Sequence, residues 1–164
     1  MRQLLRRLAV AALLAPAAAA GAATMIASPA EAAPVKPTEQ ALQTEVNRLV
    51  NVERTKGGCT ALTVSAQLTA AARDHSAWMA RTGTFSHTGS GGSSFVTRSE
   101  AAGYASPSGE NIAWGYRTAS DVVSGWMNSP GHRANILNCR SKAVGVGVVH
   151  SASGTPYYTQ DFGF

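Results

Sequence analysis

Apolar side chains in this chain follow a helical period for most of its length and an alternating one only near the end. Leu42, Val46, Leu49 and Val50 return every three or four positions after Thr38, which predicts a helix over residues 39–53 with one buried stripe. Lys56-Gly57-Gly58 ends it, glycine being the usual terminator. Leu62 and Val64 follow as brief anchors in a loop. Ser65 is placed to cap a second helix whose inner face carries Leu68, Ala72, His75 and Met79, with Trp78 alongside. Ala70, Ala71, Ala72 and Ala77 let that helix pack closely against a neighbour.

The middle of the chain is more polar. Residues 82–92 form a glycine- and hydroxyl-rich loop carrying His87, and a short third helix over 93–102 turns Phe95 and Val96 inward. Residues 104–108 read as loop, and Gly109-Glu110-Asn111-Ile112-Ala113-Trp114 then sets an acid between a glycine and an apolar run. Thr118-Ala119-Ser120-Asp121 has the form of a capping box for a fourth helix with Val122, Val123, Trp126 and Met127 on its apolar face. Pro130, favoured at a first helical position, opens a short helix capped by Ser129, with Ile136 and Leu137 inward. His132 falls in its first turn, where the helix dipole favours a neutral imidazole.

The period then changes. Val144, Val146 and Val148 alternate with Gly145 and Gly147, a strand whose bare side admits the close approach of a helix or a ligand. A turn at 151–154 leads to an antiparallel partner over 157–162. Helices first and strands last predict an α+β domain over 38–164, preceded by a short lead-in at 33–37.

Composition adds an address. Arg2, Arg6 and Arg7 precede an alanine- and leucine-rich run, and Ala30-Glu31-Ala32 offers small residues for cleavage, so residues 1–32 read as a secretory signal peptide. A retained anchor is the alternative, since the run approaches spanning length. With the leader removed the domain is weakly basic, without an arginine run or interleaved aromatic and basic residues. A secreted, extracellular monomer that binds no nucleic acid and does not insert stably in a membrane is expected. Cys59 and Cys139 are the two cysteines, and in an oxidising compartment they bridge by default, with free thiols as the alternative.

Three residues carry ligand chemistry. His87, Glu110 and His132 supply two imidazoles and a carboxylate, a set that with water satisfies a tetrahedral Zn²⁺ or another divalent metal. Their wide spacing gives little specificity, and no general base is marked out beside them, so no catalytic residue is assigned. Asp121 serves better as a cap, and Asp161 reads as an exposed strand residue. His75, on a core stripe, reads as a structural histidine with a ligand role as the alternative. Trp114, Trp126, Tyr157 and Tyr158 belong to the core or line a groove. No serine sits in a nucleophile elbow, and Gly91-Gly92 lacks the lysine of a phosphate loop.

Four ordered motifs complete the picture: Phe85-Ser86-His87-Thr88-Gly89, Gly109-Glu110-Asn111-Ile112-Ala113-Trp114-Gly115, the run from Trp126 through Ser129-Pro130-Gly131-His132-Arg133-Ala134-Asn135-Ile136-Leu137, and Tyr157-Tyr158-Thr159-Gln160-Asp161-Phe162-Gly163. Together they resemble the CAP superfamily of cysteine-rich secretory proteins, antigen 5 and pathogenesis-related proteins, in its secreted bacterial branch. The resemblance implies an α-β-α sandwich with a small antiparallel sheet between helical layers. It also implies a cleft formed by His87, Glu110 and His132 that binds metal in some members. A second cleft glutamate of many eukaryotic members would fall near Asn128-Ser129, where none stands. Cys59 and Cys139 look like the disulfide of related actinobacterial proteins. The family implies binding of an unidentified lipid, small-molecule or protein ligand, with a metal-assisted hydrolase or a lipid and sterol carrier as alternatives.

Overall fold

Each long helix begins on a hydroxyl. In a computed structural model describing residues 37–164, Thr38 Oγ1 accepts from Ala41 N at 3.1 Å and Ser65 Oγ from Leu68 N at 3.3 Å. These bonds open α1 (Glu39–Lys56) and α2 (Ala66–Thr82), and α2 stops at Gly83 in the left-handed conformation, φ 70°. The signal peptide and residues 33–36 of the lead-in lie outside the described residues. After a 3₁₀ turn at Ser90–Gly92 the order continues as α3 (Phe95–Ala101), β2 (Pro107–Trp114), α4 (Ala119–Met127), α5 (Pro130–Ile136), β3 (Ala143–His150) and β4 (Pro156–Gly163). β1 (Thr63–Val64) precedes α2.

The sheet runs β1-β3-β4-β2, antiparallel except for β1 beside β3. On one face Val144, Val146 and Val148 join Leu42, Val46 and Val50 of α1, Val122 and Trp126 of α4, and Ile136 of α5 in the main core. On the other face Gly145 and Gly147 meet α2 so closely that a β-carbon on either would overlap main-chain atoms at Leu68–Thr69 or Ala72–Arg73. The bare side of the strand thus receives a helix. The result is the expected α+β sandwich, helices above and below a small sheet.

Cys59 and Cys139 are bridged, with Cα atoms 4.9 Å apart. Arg54, fully buried on α1, reinforces this region from within. Its guanidinium donates to the carbonyls of Thr60, Ile136, Asn138 and Ser141 at 2.7–3.0 Å, tying α1 to the end of α5 and the loop carrying Cys139.

Several local expectations need correction. Strands do not all come last: β2 lies between α3 and α4, beginning inside the stretch read as loop, and β1 takes in one of the two loop anchors. β2 shows no alternation because both of its faces are buried from Gly109 to Ala113. Phe95 and Val96 are half-buried, and the fully buried residue of α3 is Ser99. Thr118 caps Asp121 N at 3.1 Å without the reciprocal half of a capping box, and Ser129 starts α5 with no side-chain cap bond.

Candidate functional site

The edge strand β2 divides its polar residues between two layers. Glu110 pairs in register with Asp161 of β4, and its side chain meets groups from α3 and the loop after α2. Asn111, the next residue, turns to α5: its Nδ2 donates to the His132 carbonyl at 3.2 Å and to Gln160 Oε1 at 3.1 Å. Asn135 closes the seam, its Nδ2 donating to Glu110 O and to Asn111 Oδ1 at 3.1 and 2.9 Å. A β-carbon at Gly109 would lie 2.9 Å from Asn135 Oδ1, so the glycine before the glutamate leaves room for the amide that joins α5 to the strand.

Both oxygens of the Glu110 carboxylate are engaged. Oε1 accepts from His87 Nδ1 at 2.7 Å and Oε2 from Arg98 Nη2 at 2.5 Å. The glutamate and arginine side chains are 1% and 10% exposed, whereas His87 is 58% exposed. With Nδ1–H donated to the carboxylate, the free lone pair of His87 is on Nε2. Arg98 also donates to the carbonyls of His87 (3.2 Å) and Ser93 (2.8 Å), holding the His87 loop against α3.

His75 supports the same loop from below: buried on α2, it donates Nε2–H to Ser86 O at 2.9 Å and leaves Nδ1 without a partner. Burial, then the Arg98 charge, pushes its pKa down. This is the structural role that its place on the core stripe predicts. Asp161 corrects the sequence reading, being fully buried with neither carboxylate oxygen hydrogen-bonded. Burial first, then the neighbouring Glu110 charge, raises its pKa well above the usual carboxylate range.

His132 is half-buried, its ring without a hydrogen bond among the described residues. Burial first, then the neighbouring His87, lower its pKa, the direction expected from its place in the first turn of α5. The expected trio is brought together in part: His87 and Glu110 touch. Among the described residues no group of three His, Cys, Asp or Glu is arranged to hold a metal ion.

Arg98, Asn135 and Asp161 are the cleft residues that sequence reasoning passed over. Asn135 and Asp161 had a signal, their places inside the motifs that begin at Trp126 and Tyr157, and Arg98 had none. The aromatic candidates divide, with Trp126, Tyr157 and Tyr158 in the core and Trp114 exposed, tilted against Phe85 at 6.4 Å.

A family profile described as "CAP: Cysteine-rich secretory protein family" matches residues 48–162. The chain belongs to this family. Its CAP domain is 40% identical over 124 residues to the uncharacterized protein YkwD of Bacillus subtilis strain 168, covering 74% of this chain and 47% of YkwD. The chain therefore spans about half of that relative. Among solved structures it is similar to an SCP-domain extracellular protein of Bacillus anthracis, with TM-score 0.70, 29% identity, and coverage of 80% of this chain and 45% of that one. An outer surface protein of Borrelia burgdorferi matches at TM-score 0.70 and 20% identity, over 79% of this chain and 96% of its own, and supports the fold.

Proposed function

We propose that this CAP domain is a secreted binding module that performs no catalysis, acting as a monomer outside the cell on a lipid, small-molecule or protein ligand. One observation carries the reading: both oxygens of buried Glu110 are already bonded, to His87 and to Arg98. A Glu110 held in this way is not placed as a free base for water activation, and the neighbouring Asp161 is buried with its pKa raised, which favours the neutral acid. The leader motif supports export, as do the extracellular and outer-surface proteins of the same fold. No helix among the described residues is long and apolar enough to cross a membrane.

The donor set accommodates a cation only in part. His87 Nε2 and the His132 ring are the groups that would hold Zn²⁺ or another divalent metal. Glu110 fits as the partner that fixes the His87 tautomer, the carboxylate–histidine arrangement of many metal centres. A bound ion would supply Lewis acidity to whatever ligand entered the cleft. A lipid-carrier reading draws on one further feature, an open groove of about 420 Å³ between α4 and α5 lined by Met127, Pro130, Ala134 and Leu137 together with the polar Asn128 and Arg133.

Calorimetric Zn²⁺ titration of metal-stripped protein at pH 7, beside a His87→Ala/His132→Ala variant, tests the cleft. The expected result is weak one-to-one binding that the variant loses, with no ester or peptide hydrolysis at saturating zinc. Hydrolysis by the wild type that disappears in the variant would overturn the binding-module reading.

A further inference from the structure

Glu110 does not wait for a metal to balance it. A guanidinium lies on its Oε2, in a pocket where the carboxylate is 1% and the arginine 10% exposed. One nitrogen, Arg98 Nη2, reaches both Glu110 Oε2 (2.5 Å) and the His87 carbonyl (3.2 Å), and Nη1 adds the His87 and Ser93 carbonyls at 3.2 and 2.8 Å. These contacts gather the histidine loop onto the edge strand, which is the task an ion performs where ligands come from distant segments. The planar fork of arginine spans a carboxylate and two carbonyls at once, a geometry that an ammonium cannot reproduce.

We propose that Arg98 is the resident cation of this cleft: it balances the Glu110 carboxylate that would otherwise offset the charge of a divalent ion on the imidazoles, and so sets how weakly the chain holds metal. The proposal rests on the reading of this cleft as a binding site, and Arg98 acts there as a positioning residue. Two effects follow from one side chain. The fixed positive charge repels an incoming cation. Glu110, already balanced by the guanidinium, is also withheld as the counter-charge to an ion on the imidazoles. The cleft is thereby assembled at any metal concentration.

Removing the charge should therefore create a metal site at the expense of metal-free stability. Arg98→Gln is expected to bind Zn²⁺ at least about tenfold more tightly than the wild type, the range seen when partners around a metal ligand change. Its melting temperature should fall without zinc and climb when zinc is added, while that of the wild type barely responds. Arg98→Lys keeps a charge beside Glu110 and should stay as insensitive to zinc as the wild type. Adding Glu110→Gln to Arg98→Gln should abolish both the tighter binding and the rescue.

If Arg98→Gln folds only in the presence of zinc, the rescue is seen in its strongest form and the proposal stands. An Arg98→Gln protein that zinc neither binds more tightly nor stabilises overturns it, whether or not that protein folds alone. The underlying reading is tested apart from this: the wild-type histidine double variant reports on the imidazoles, and dependence on Glu110 in the Arg98→Gln background reports on Arg98.

Discussion

Two arginines turn inward in this domain, and their surroundings give them opposite roles. Arg54 meets no carboxylate: all four of its hydrogen bonds end on main-chain carbonyls, and burial lowers its pKa. Arg98 meets a carboxylate and two carbonyls, one of them belonging to an exposed histidine. Carbonyls that have lost water need a donor, and Arg54 fills that need at the seam of α1, α5 and the disulfide. The Arg98–Glu110 pair instead stabilises charge beside an open imidazole. One arginine closes the scaffold, and the other sets the character of the site.

The widest separation between the two should come from Arg54→Met. Four carbonyls would lose their donor in a buried setting, and even partial loss of such satisfaction should cost at least about 3 kcal/mol. Denaturant unfolding at neutral pH measures it. A loss no larger than that of an exposed surface substitution would mean that water replaces the guanidinium, and the contrast with Arg98 would fail.

Cys59→Ser/Cys139→Ser should come next, lowering stability by about 2–5 kcal/mol, as removal of a native bridge from a small secreted domain does. The bridge spans 80 residues and lies at the Arg54 seam. Zinc titration of the folded variant should match the wild type. A large change in zinc affinity would show that scaffold and cleft are one cooperative unit.

Neither arginine announced its role in the sequence, for one shared physical reason. Arg54 stands in the polar end of a periodic helix, yet three of its four carbonyls come from residues 82 to 87 positions away. Arg98 stands in a short helix amid serines and threonines, and its carboxylate comes from a strand that alternation could not reveal. What was legible was local: the cap at Ser65, the stripe holding Leu68, Ala72 and Met79, and the Val-Gly alternation of β3. The family motifs picked out His87 and Glu110, which touch, and His132 on the helix that packs against the same edge strand. Their division of labour, a carboxylate tied up by an arginine, depends on side-chain directions that spacing does not carry.

On the cleft side, His87→Ala should cost only about 1–2 kcal/mol, because the ring is largely exposed and what is lost is one hydrogen bond to the buried Glu110 carboxylate. The loop is held by Arg98 through the His87 carbonyl, which the substitution leaves in place. Zinc binding should nonetheless disappear. Unfolding of the loop, seen as rapid amide exchange between residues 84 and 93, would instead give the ring itself a structural role.

The subtlest test uses acid. The Arg54 seam holds an arginine, carbonyls and a closed disulfide, none of which titrates near neutrality. Behind the cleft, His75 is buried with its pKa held below 6.5. Well above 6.5 the ring is neutral whether the chain is folded or not, and the fold keeps its full stability. As pH falls through 6.5 the unfolded chain takes up the proton first, so stability is lost until the folded ring protonates as well. His132 is lowered in the same direction and shares this loss. His75→Gln can still donate to Ser86 O while carrying no titrating ring, so its stability should fall less steeply than that of the wild type between pH 7 and 5, the remaining slope belonging in part to His132. Denaturant midpoints for both proteins at half-unit pH steps read the difference directly. Equal slopes would show that the folded and unfolded states protonate His75 alike, and that the histidine behind the cleft is as indifferent to acid as the arginine at the seam.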